Sequence, residues 1–380
     1  MTSGAHKAKA KDEKMHFTHT DERQMLADTL EKFIANEVSI SQRLEAAEAK
    51  GYVPETWAQM AELGVIGALF DEDHGGFGGS GFDLMVVFQA LGQGLVSSPM
   101  LENAVLVGQS LVGLGHRGKI EEIIAGSYLP AFAHFEPTSG YSHAHIETTA
   151  SPDGDGWRLS GLKNVVKFGA SADGLLVSAN TPQGLGLFAV KPDADGVSMT
   201  GYQTIDAGQA VDLKLDNTPA FRLDDGQSDV LAILERSCYA GMVAVCAEAL
   251  GIMQVLVDMT KDYLKTRKQF GVELAKFQAL QHRFVEMTMR LEDATSATIS
   301  AANALEAALG GDDQARRVLH AAKVTCANAA TQIGEEAVQM HGGIAVTWEF
   351  DLNHYFKRLT VLEQELGDEE FHLGRFIATS

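Results

Sequence analysis

The chain has 380 residues, enough for two or three domains or one large multilayer unit, and it is 45% hydrophobic and 21% charged, as in ordinary soluble globular proteins. Its 30 basic and 51 acidic side chains give a formal net charge of -21, which excludes a surface for nucleic acid or for an anionic membrane. Any anionic ligand is therefore expected to be held by a few local Arg, Lys or backbone N–H groups.

The N-terminal stretch MTSGAHKAKAKDEK is a polar leader. We expect residues 1–16 to be disordered, or to be an addition to a natural protein that starts at Met15. The sequence has no secretory signal and no apolar run near 20 residues, which predicts a cytoplasmic protein without a membrane segment. Cys238, Cys246 and Cys326 fall in apolar helical stretches and are predicted to be reduced core residues.

Three regions follow along the chain. Residues 17–127 contain patterns typical of helices, such as DERQMLADTLEKFIANEV and FDLMVVFQALGQGLV, and predict an all-α domain. Residues 128–226 contain short runs such as DGLLVSAN and LGLFAVK, separated by Gly, Pro, Asp and Asn, which predict an antiparallel β domain. Residues 227–380 are predicted to be helical again.

The C-terminal region has two apolar stripes. One alternates steps of three and four residues and the other recurs every seven, so both are typical of long antiparallel helices. The stripes are Phe277, Leu280, Phe284, Met287, Leu291, Ala294, Thr298, Ala301 and Leu305, and Leu319, Cys326, Ile333 and Met340. The predicted fold class is therefore α+β, with an N-terminal all-α domain, a central antiparallel β domain and a C-terminal four-helix bundle.

Two segments at the ends of predicted helices could bind an anion. The segment YLKTRKQFGVELAKFQALQHRF has a basic helix end with Arg267, a turn at Gly271, and then Gln278. A guanidinium suits phosphate because it makes bidentate hydrogen bonds. The segment Gln339–Gly343 ends in a glycine pair, which lets backbone N–H groups approach a pyrophosphate. Taken alone, the first segment could be a solvated charged turn and the second a helix C-cap.

Together the two segments are specific. RKQFG followed by FQ, and QMHGGIAVTWE further on, resemble the acyl-CoA dehydrogenase family. The resemblance covers nearly the whole chain, since DEDHGGFGGSGFDLMVVFQALGQGLVSSP, EPTSG and GLKNVVKFGASAD are similar to further family motifs. It implies an α domain, a β domain and a four-helix bundle, in the order predicted above.

The resemblance also implies FAD as the cofactor and acyl-CoA as the substrate, with an electron-transfer flavoprotein as an electron acceptor. In the family the isoalloxazine lies between the β domain and the bundle, and the ADP end reaches two segments of the neighbouring subunit. Residues about 230–378 are therefore expected to carry the main subunit interface. The residues implied for ADP are Arg267, Gln269, Phe270, Gln278, Gln339, Gly342 and Gly343.

The family's catalytic base is missing. α,β-Dehydrogenation needs a carboxylate to remove the α-proton while the flavin accepts the β-hydride, and most of the family uses a Glu just before a Gly. Counting from Gln339 places that Gly at Gly367 and the base position at Leu366, which cannot take a proton. The alternative family position, on the first bundle helix, is Gly241.

Three other carboxylates are alternatives for the base. Glu365 and Asp368 flank Leu366, but on a helix each residue turns the side chain by about 100°. Glu248 lies within the apolar helix VCAEALG, where a buried structural ion pair is its other interpretation.

The flavin-ring motifs have also changed. The Thr-Glu-Pro of the family is Phe135–Pro137, and its Gly-Ser pair is Gly140–Tyr141. Its Trp-Ile-Thr/Ser is Val165–Lys167, so the Trp that stacks on the flavin and the hydroxyl that donates near N5 are both absent. Because the residues implied for ADP are all present, we interpret these changes as a division of labour between two subunits. The chain is then the non-catalytic partner of a heteromeric, α2β2-type dehydrogenase acting on bulky acyl-CoA esters, including steroid side chains, in lipid or steroid catabolism.

Other hypotheses stay open. The chain could be a homo-oligomeric dehydrogenase with a displaced base, a flavin oxidase or monooxygenase of the same fold, or a flavin-free acyl-CoA-binding scaffold. The segment HYFKRL also resembles part of a small subunit of the pimeloyl-CoA dehydrogenase type. No metal site is predicted, because His143 and His145 lie two apart in a loop without an identifiable third ligand.

Overall fold

A computed structural model describes residues 20–378. The predicted leader, residues 1–16, lies outside the described residues. The N-terminal domain is helical, and Thr20, Ser39 and Ser80 cap α1, α2 and α4 by accepting a backbone N–H from the first turn of the helix. Its helices are α1 (Asp21–Glu37), α2 (Ile40–Glu48), α3 (Pro54–Glu62), α4 (Gly81–Gln93), a π-helical segment (Leu101–Val107), α5 (Gly108–Leu114) and α6 (Arg117–Ile124).

The middle domain is a seven-stranded sheet. Its strands are β1 (Pro130–Ala133), β2 (Thr149–Asp153), β3 (Gly156–Lys167), β4 (Gly174–Thr181), β5 (Gly184–Val190), β6 (Val197–Gln203) and β7 (Gln209–Arg222). Strand β5 pairs with both β4 and β7, so five strands close around an apolar core and β1 and β6 lie at the edges. The sheet is antiparallel except that β4 runs parallel to β1 and β2, a departure from the predicted purely antiparallel domain.

An irregularity in β3 positions the residues of the site. The pairing of β3 with β7 shifts register between Lys163 and Val166, and Val165 has a φ of 51°. The shift leaves Lys163 and Val166 buried in the barrel while Val165 is exposed. Lys167, the last residue of the strand, then faces the helical domains.

The C-terminal domain is a bundle of long helices. Its elements are α7 (Val230–Thr266), the short hairpin β8 (Lys268–Gln269) and β9 (Val272–Glu273), α8 (Gln278–Leu309), α9 (Asp313–His341), α10 (Leu352–Gln364) and α11 (Glu369–Ala378). Most residues of the two predicted stripes are buried, whereas Phe277, Leu280 and Phe284 at the start of the first stripe are half-buried. The three free cysteines are buried in this bundle.

Helix α7 is the central helix of the bundle. By length and composition it could cross a membrane, so the prediction that the chain lacks such an apolar run needs correction. However, 89% of its most apolar window of 18 residues is buried inside the protein. The helix also carries buried Glu248, which is paired with Arg358. The apolar character of α7 is therefore explained by packing against α4, α8 and α9.

Candidate functional site

The two segments predicted to bind ADP meet at one end of the bundle. The ring of Tyr263, near the end of α7, stacks on His341, the last residue of α9, with centroids 4.3 Å apart. The Tyr263 hydroxyl also donates to the His341 backbone oxygen at 3.3 Å. Arg267 ends α7 and Gly342 ends α9, so this stack holds the two segments together.

The segment after Arg267 is a tight hairpin. Lys268 pairs with Glu273 and Gln269 with Val272, and Phe270 at its tip has a φ of 53°. The Phe270 side chain is 91% exposed in the isolated chain. All seven residues predicted for ADP are exposed in the isolated chain: Arg267, Gln269, Phe270, Gln278, Gln339, Gly342 and Gly343.

The residues present fit the ADP part of FAD. A Cβ built at Gly342 or Gly343 would meet nothing within 4 Å, so the backbone there is open to a ligand. Gly342 has a φ of 67°, a conformation that favours glycine. Among residues 20–378, Arg267 forms no ion pair, and its guanidinium is therefore available for a phosphate. These residues would hold the pyrophosphate and the adenosine.

The pocket at the family's ring position lies where the N-terminal helices, the β domain and the bundle meet. Its volume is about 340 Å³, and its walls include Leu106, Phe132, Phe135, Val361 and Leu366. Leu366 has a φ of 60° and is 8% exposed. A Cβ added at Gly241 would lie 2.6 Å from Leu366 Cδ1, so the two family base positions are in contact and neither carries a carboxylate.

The alternative carboxylates are engaged elsewhere. Glu365 forms an ion pair with Lys167, and its other oxygen is 3.6 Å from Arg358. Burial alone would raise the pKa of Glu365, but these two cations lower it below its ordinary value. Glu248 accepts two hydrogen bonds from Arg358 at 2.7 and 2.9 Å, and Asp368 caps α11 through the backbone N–H of Phe371 at 2.8 Å.

The ring-contact positions do not fit an isoalloxazine. Lys167, at the family's hydroxyl position, forms its ion pair with Glu365 inside the pocket wall. Tyr141 donates to Gln364 at 3.2 Å, and both residues line the pocket. Val165 is exposed and has no ring to stack on a flavin. The stacking ring and the small donor are therefore both missing from the positions that the resemblance implies.

Glu136 belongs to the barrel core rather than to the ring pocket. Its carboxylate accepts from Lys163 at 2.7 Å, from the Thr148 hydroxyl at 2.6 Å and from the Glu147 backbone N–H at 2.6 Å. Burial alone would raise the pKa of Glu136, but the Lys163 ammonium and these hydrogen bonds lower it. Its role in this chain is structural.

Charged side chains from all three domains converge behind the pocket. Arg358 on α10 bonds to Asp206 at 3.0 Å as well as to Glu248, and Asp206 is 3.9 Å from Arg43 on α2. The connected group, called here the buried charge network, consists of Arg43, Glu102, Lys167, Asp206, Glu248, Arg358 and Glu365. It ties the N-terminal helices, the barrel and the bundle to one another.

Glu102 is one of four members of this network that sequence reasoning missed, with Arg43, Asp206 and Arg358. Burial raises the pKa of Glu102 to about 7, against the opposing effect of Lys167, which is 3.8 Å away. The residue lies in the π-helical segment Leu101–Val107 and lines the ring-side pocket. One acidic residue within the apolar run MLENAVLV was the available signal, and π-helical turns are frequent at functional sites.

Histidines lie on the far side of Leu366. His134 is 3.3 Å from His143, and His320 is 2.9 Å from His372, in both cases between ring nitrogens. His145, the second histidine of the predicted loop, instead lies 3.6 Å from Glu147. Among residues 20–378, no three His, Cys, Asp or Glu side chains are arranged to hold a metal ion.

These buried histidines predict loss of stability in acid. Burial lowers the pKa of His143 and of His320 to about 4, and that of His372 to about 3, from an ordinary value of 6.5, with Arg375 and Lys323 adding to the effect. The unfolded chain therefore binds more protons, so stability is fully present above about pH 6.5 and is lost as the pH falls towards 4. Urea unfolding across this range should show a loss on the order of a few kcal/mol.

A variant separates this effect from general acid unfolding. His320→Leu removes one buried group that must stay neutral, and it should flatten the pH dependence between pH 6.5 and 4. His116→Leu, which replaces a half-buried histidine on another face, serves as the control. An unchanged slope in His320→Leu would contradict the assignment.

Three family models match the chain. They are the acyl-CoA dehydrogenase N-terminal domain over residues 20–125, the middle domain over residues 131–217 and the C-terminal domain over residues 233–379. Two similar proteins are the acyl-CoA dehydrogenase IpdE2 of Mycolicibacterium smegmatis and CarC of Acetobacterium woodii, a subunit of a caffeyl-CoA reductase–Etf complex. The first is 26% identical, covering 94% of this chain and 99% of the relative, and the second is 26% identical, covering 90% and 93%.

A solved structure is also similar over most of its length. It is a variant of the Tcur3481-Tcur3483 steroid ACAD, with a TM-score of 0.83, 29% identity, and coverage of 94% of this chain and 97% of that chain. These matches confirm the resemblance, the fold class and FAD as the cofactor of the family. The chain belongs to the acyl-CoA dehydrogenase family, whose members are FAD-dependent oxidoreductases acting on a CH–CH bond.

Proposed function

We propose that this chain is a subunit of a heteromeric acyl-CoA dehydrogenase in which it holds the ADP end of FAD while a homologous partner supplies the ring pocket and the base. One observation carries the proposal. The exposed ADP-binding set is complete around Arg267 and Gly342, whereas the ring-side pocket contains Leu366 at the base position and the Lys167–Glu365 ion pair in its wall.

The chemistry of the reaction explains why both halves are needed. When bound, FAD supplies the acceptor for the hydride that leaves the β-carbon of the acyl thioester. The residues of this chain bind and orient the ADP portion through the Arg267 guanidinium and the open backbone at Gly342–Gly343. Because Leu366 cannot accept a proton, the proposal assigns the carboxylate at the α-carbon to the partner.

The partner, substrate class and acceptor belong to the same proposal. We propose an α2β2 assembly with a homologous dehydrogenase subunit, supported by the name of the steroid ACAD relative, which joins two polypeptides. That name also supports a bulky acyl-CoA ester, such as a steroid side chain, as the substrate. An electron-transfer flavoprotein is the proposed acceptor, supported by the name of the CarC complex. A cytoplasmic location in lipid or steroid catabolism completes the proposal.

Flavin content tests the proposal. Expressed alone, the chain should bind little FAD and show no acyl-CoA-dependent reduction of an artificial acceptor. Co-expressed with its partner, it should give one flavin for each pair of unlike chains, because only one ring pocket of the two is competent. Full flavin occupancy and turnover from this chain alone would overturn the division of labour and favour a displaced base.

Arg267→Ala provides a residue-level prediction. Charge-assisted hydrogen bonds to phosphate are roughly twice as strong as neutral ones, so the variant complex should lose flavin on dilution or gel filtration while the complex still assembles. Lys261→Ala on the same helix, an exposed cation paired with Asp258 at 3.7 Å, is the matched control. Unchanged flavin retention in Arg267→Ala would count against the assignment.

A further inference from the structure

The ring-side pocket remains a real cavity, although its residues do not fit an isoalloxazine. Its volume of about 340 Å³ lies within the range of small-molecule sites, roughly 300–1,000 Å³. Leu106, Phe132, Phe135, Val361 and Leu366 supply apolar walls. The inference that follows rests on the proposed function, in which the flavin ring lies in the partner and not here.

Glu102 marks the polar end of this cavity. The residue is 7% exposed and lines the cavity, and its carboxyl makes no hydrogen bond to another side chain among residues 20–378. Its nearest charged neighbour is the Lys167 ammonium at 3.8 Å, and Lys167 is already paired with Glu365. A backbone hydrogen bond and the Lys167 ammonium leave part of the acceptor capacity of the two carboxylate oxygens unused, so a ligand that donates a hydrogen bond there would be favoured.

The charges around Glu102 limit what that ligand can be. Lys167 and Arg358 are already matched by Glu365 and Glu248, so an added anion would meet uncompensated carboxylates. A second cation would have to leave water for apolar walls, which is also unfavourable. A hydroxyl can donate to a carboxylate and also accept from a protonated carboxyl, so it suits Glu102 in either state.

We infer that the pocket of this chain binds a neutral, largely apolar molecule with one hydroxyl group, whose body lies against Leu106, Val361 and Leu366 and whose hydroxyl bonds to Glu102. Such a site is separate from the competent ring pocket of the assembly. The pocket recognises its ligand by shape and by one hydrogen bond, and the ligand does not need a CoA thioester.

A pair of probes tests this inference in the assembled heteromer. 2-Naphthol carries a hydroxyl on an apolar body, and 2-methoxynaphthalene has nearly the same body but cannot donate. At a pH about one unit above the Glu102 pKa, where the carboxylate only accepts, 2-naphthol should bind saturably, seen in its fluorescence. A hydrogen bond to a charged group should make its affinity about tenfold or more higher than that of the ether.

Two variants locate the site. Glu102→Leu should reduce 2-naphthol binding to the level of the ether, and Val361→Trp, which fills the cavity from α10, should weaken both probes. Glu62→Leu, at an exposed carboxylate on α3, is the control and should bind as the unchanged protein does. Equal affinity for the two probes, or no saturable binding of either, would overturn the inference.

The flavin signal separates this inference from the proposed function. With the ring in the partner, saturating 2-naphthol should leave the flavin absorbance and the flavin content of the heteromer unchanged. Release of flavin by the probe, lost in Val361→Trp, would show that the ring lies in this pocket, and would overturn the proposed function together with the inference. If the probes do not bind while the heteromer still contains one flavin per pair of chains, only the inference is overturned.

Discussion

In the proposed heteromer, neutralising the base carboxylate of the partner should lower turnover by a factor of about 10²–10⁴, the contribution expected of a positioned general base. The same change at Glu365, Asp368 or Glu248 of this chain should cost far less. Each of these carboxylates already has a structural role: Glu365 with Lys167, Asp368 as the cap of α11, and Glu248 with Arg358. Glu365 lines the cavity but is paired with Lys167, and Asp368 and Glu248 are not among the residues that line it.

The measurement is acyl-CoA-dependent reduction of an artificial acceptor under single-turnover conditions, with flavin content determined for each variant. Glu365→Gln, Asp368→Asn and Glu248→Gln keep the side-chain shape, so the heteromer should assemble and retain flavin. A fall of a hundredfold or more in one of them, at unchanged flavin content, would identify a displaced base in this chain. Glu102→Gln belongs in the same series, because burial raises the pKa of Glu102 to about 7, within the range useful for a base.

The fold could be predicted well because its signals are local. Helix periodicity in α8 and α9 identifies the bundle, and short runs separated by turn residues identify the β domain. The two segments proposed for ADP could be singled out for the same reason, since Arg267 and Gly342 lie at helix ends and their motifs are contiguous. The parallel pairings of β4 could not be predicted, because strand neighbours depend on the closure of the whole barrel.

For the flavin-ring pocket, the sequence predicts only which family residues are missing. The sequence shows that Leu366 replaces a carboxylate and that Lys167 replaces a small hydroxyl residue. It does not show what compensates for these changes, because the partners of Lys167 are Glu102 and Glu365, 65 and 198 residues away in the chain. Long-range ion pairs leave no periodic pattern, so the buried charge network and the role of Glu102 appear only in the folded structure.

The buried charge network joins the three domains inside this chain. Arg43 from the N-terminal helices, Lys167 and Asp206 from the barrel, and Arg358 from the bundle meet in one buried region. A ring that sits between two domains stabilises their contact when it binds. Fixed side chains also link the domains here, which supports the proposal that this subunit keeps its shape without a ring of its own.

Arg358→Met should therefore destabilise the chain by about 3–5 kcal/mol, since it leaves buried carboxylates without their cation. Glu248 loses a bidentate partner at 2.7 and 2.9 Å, and Asp206 loses a hydrogen bond of 3.0 Å. Urea unfolding measures the change. Arg117→Met is the matched control: the Arg117 side chain is 62% exposed and pairs with Glu121 at 3.1 Å, so its loss should cost about 1 kcal/mol or less.

The double variant Arg358→Met with Glu248→Met decides between lost charge pairing and lost packing. Removing both members of a buried pair takes away the uncompensated charge, so the double variant should recover part of the stability that Arg358→Met loses. A double variant less stable than Arg358→Met would show that packing of the Glu248 side chain matters more than its charge. Loss of an ordinary surface ion pair destabilises a protein by up to about 1 kcal/mol. A loss below that value in Arg358→Met would therefore show that the network does not hold the three domains together.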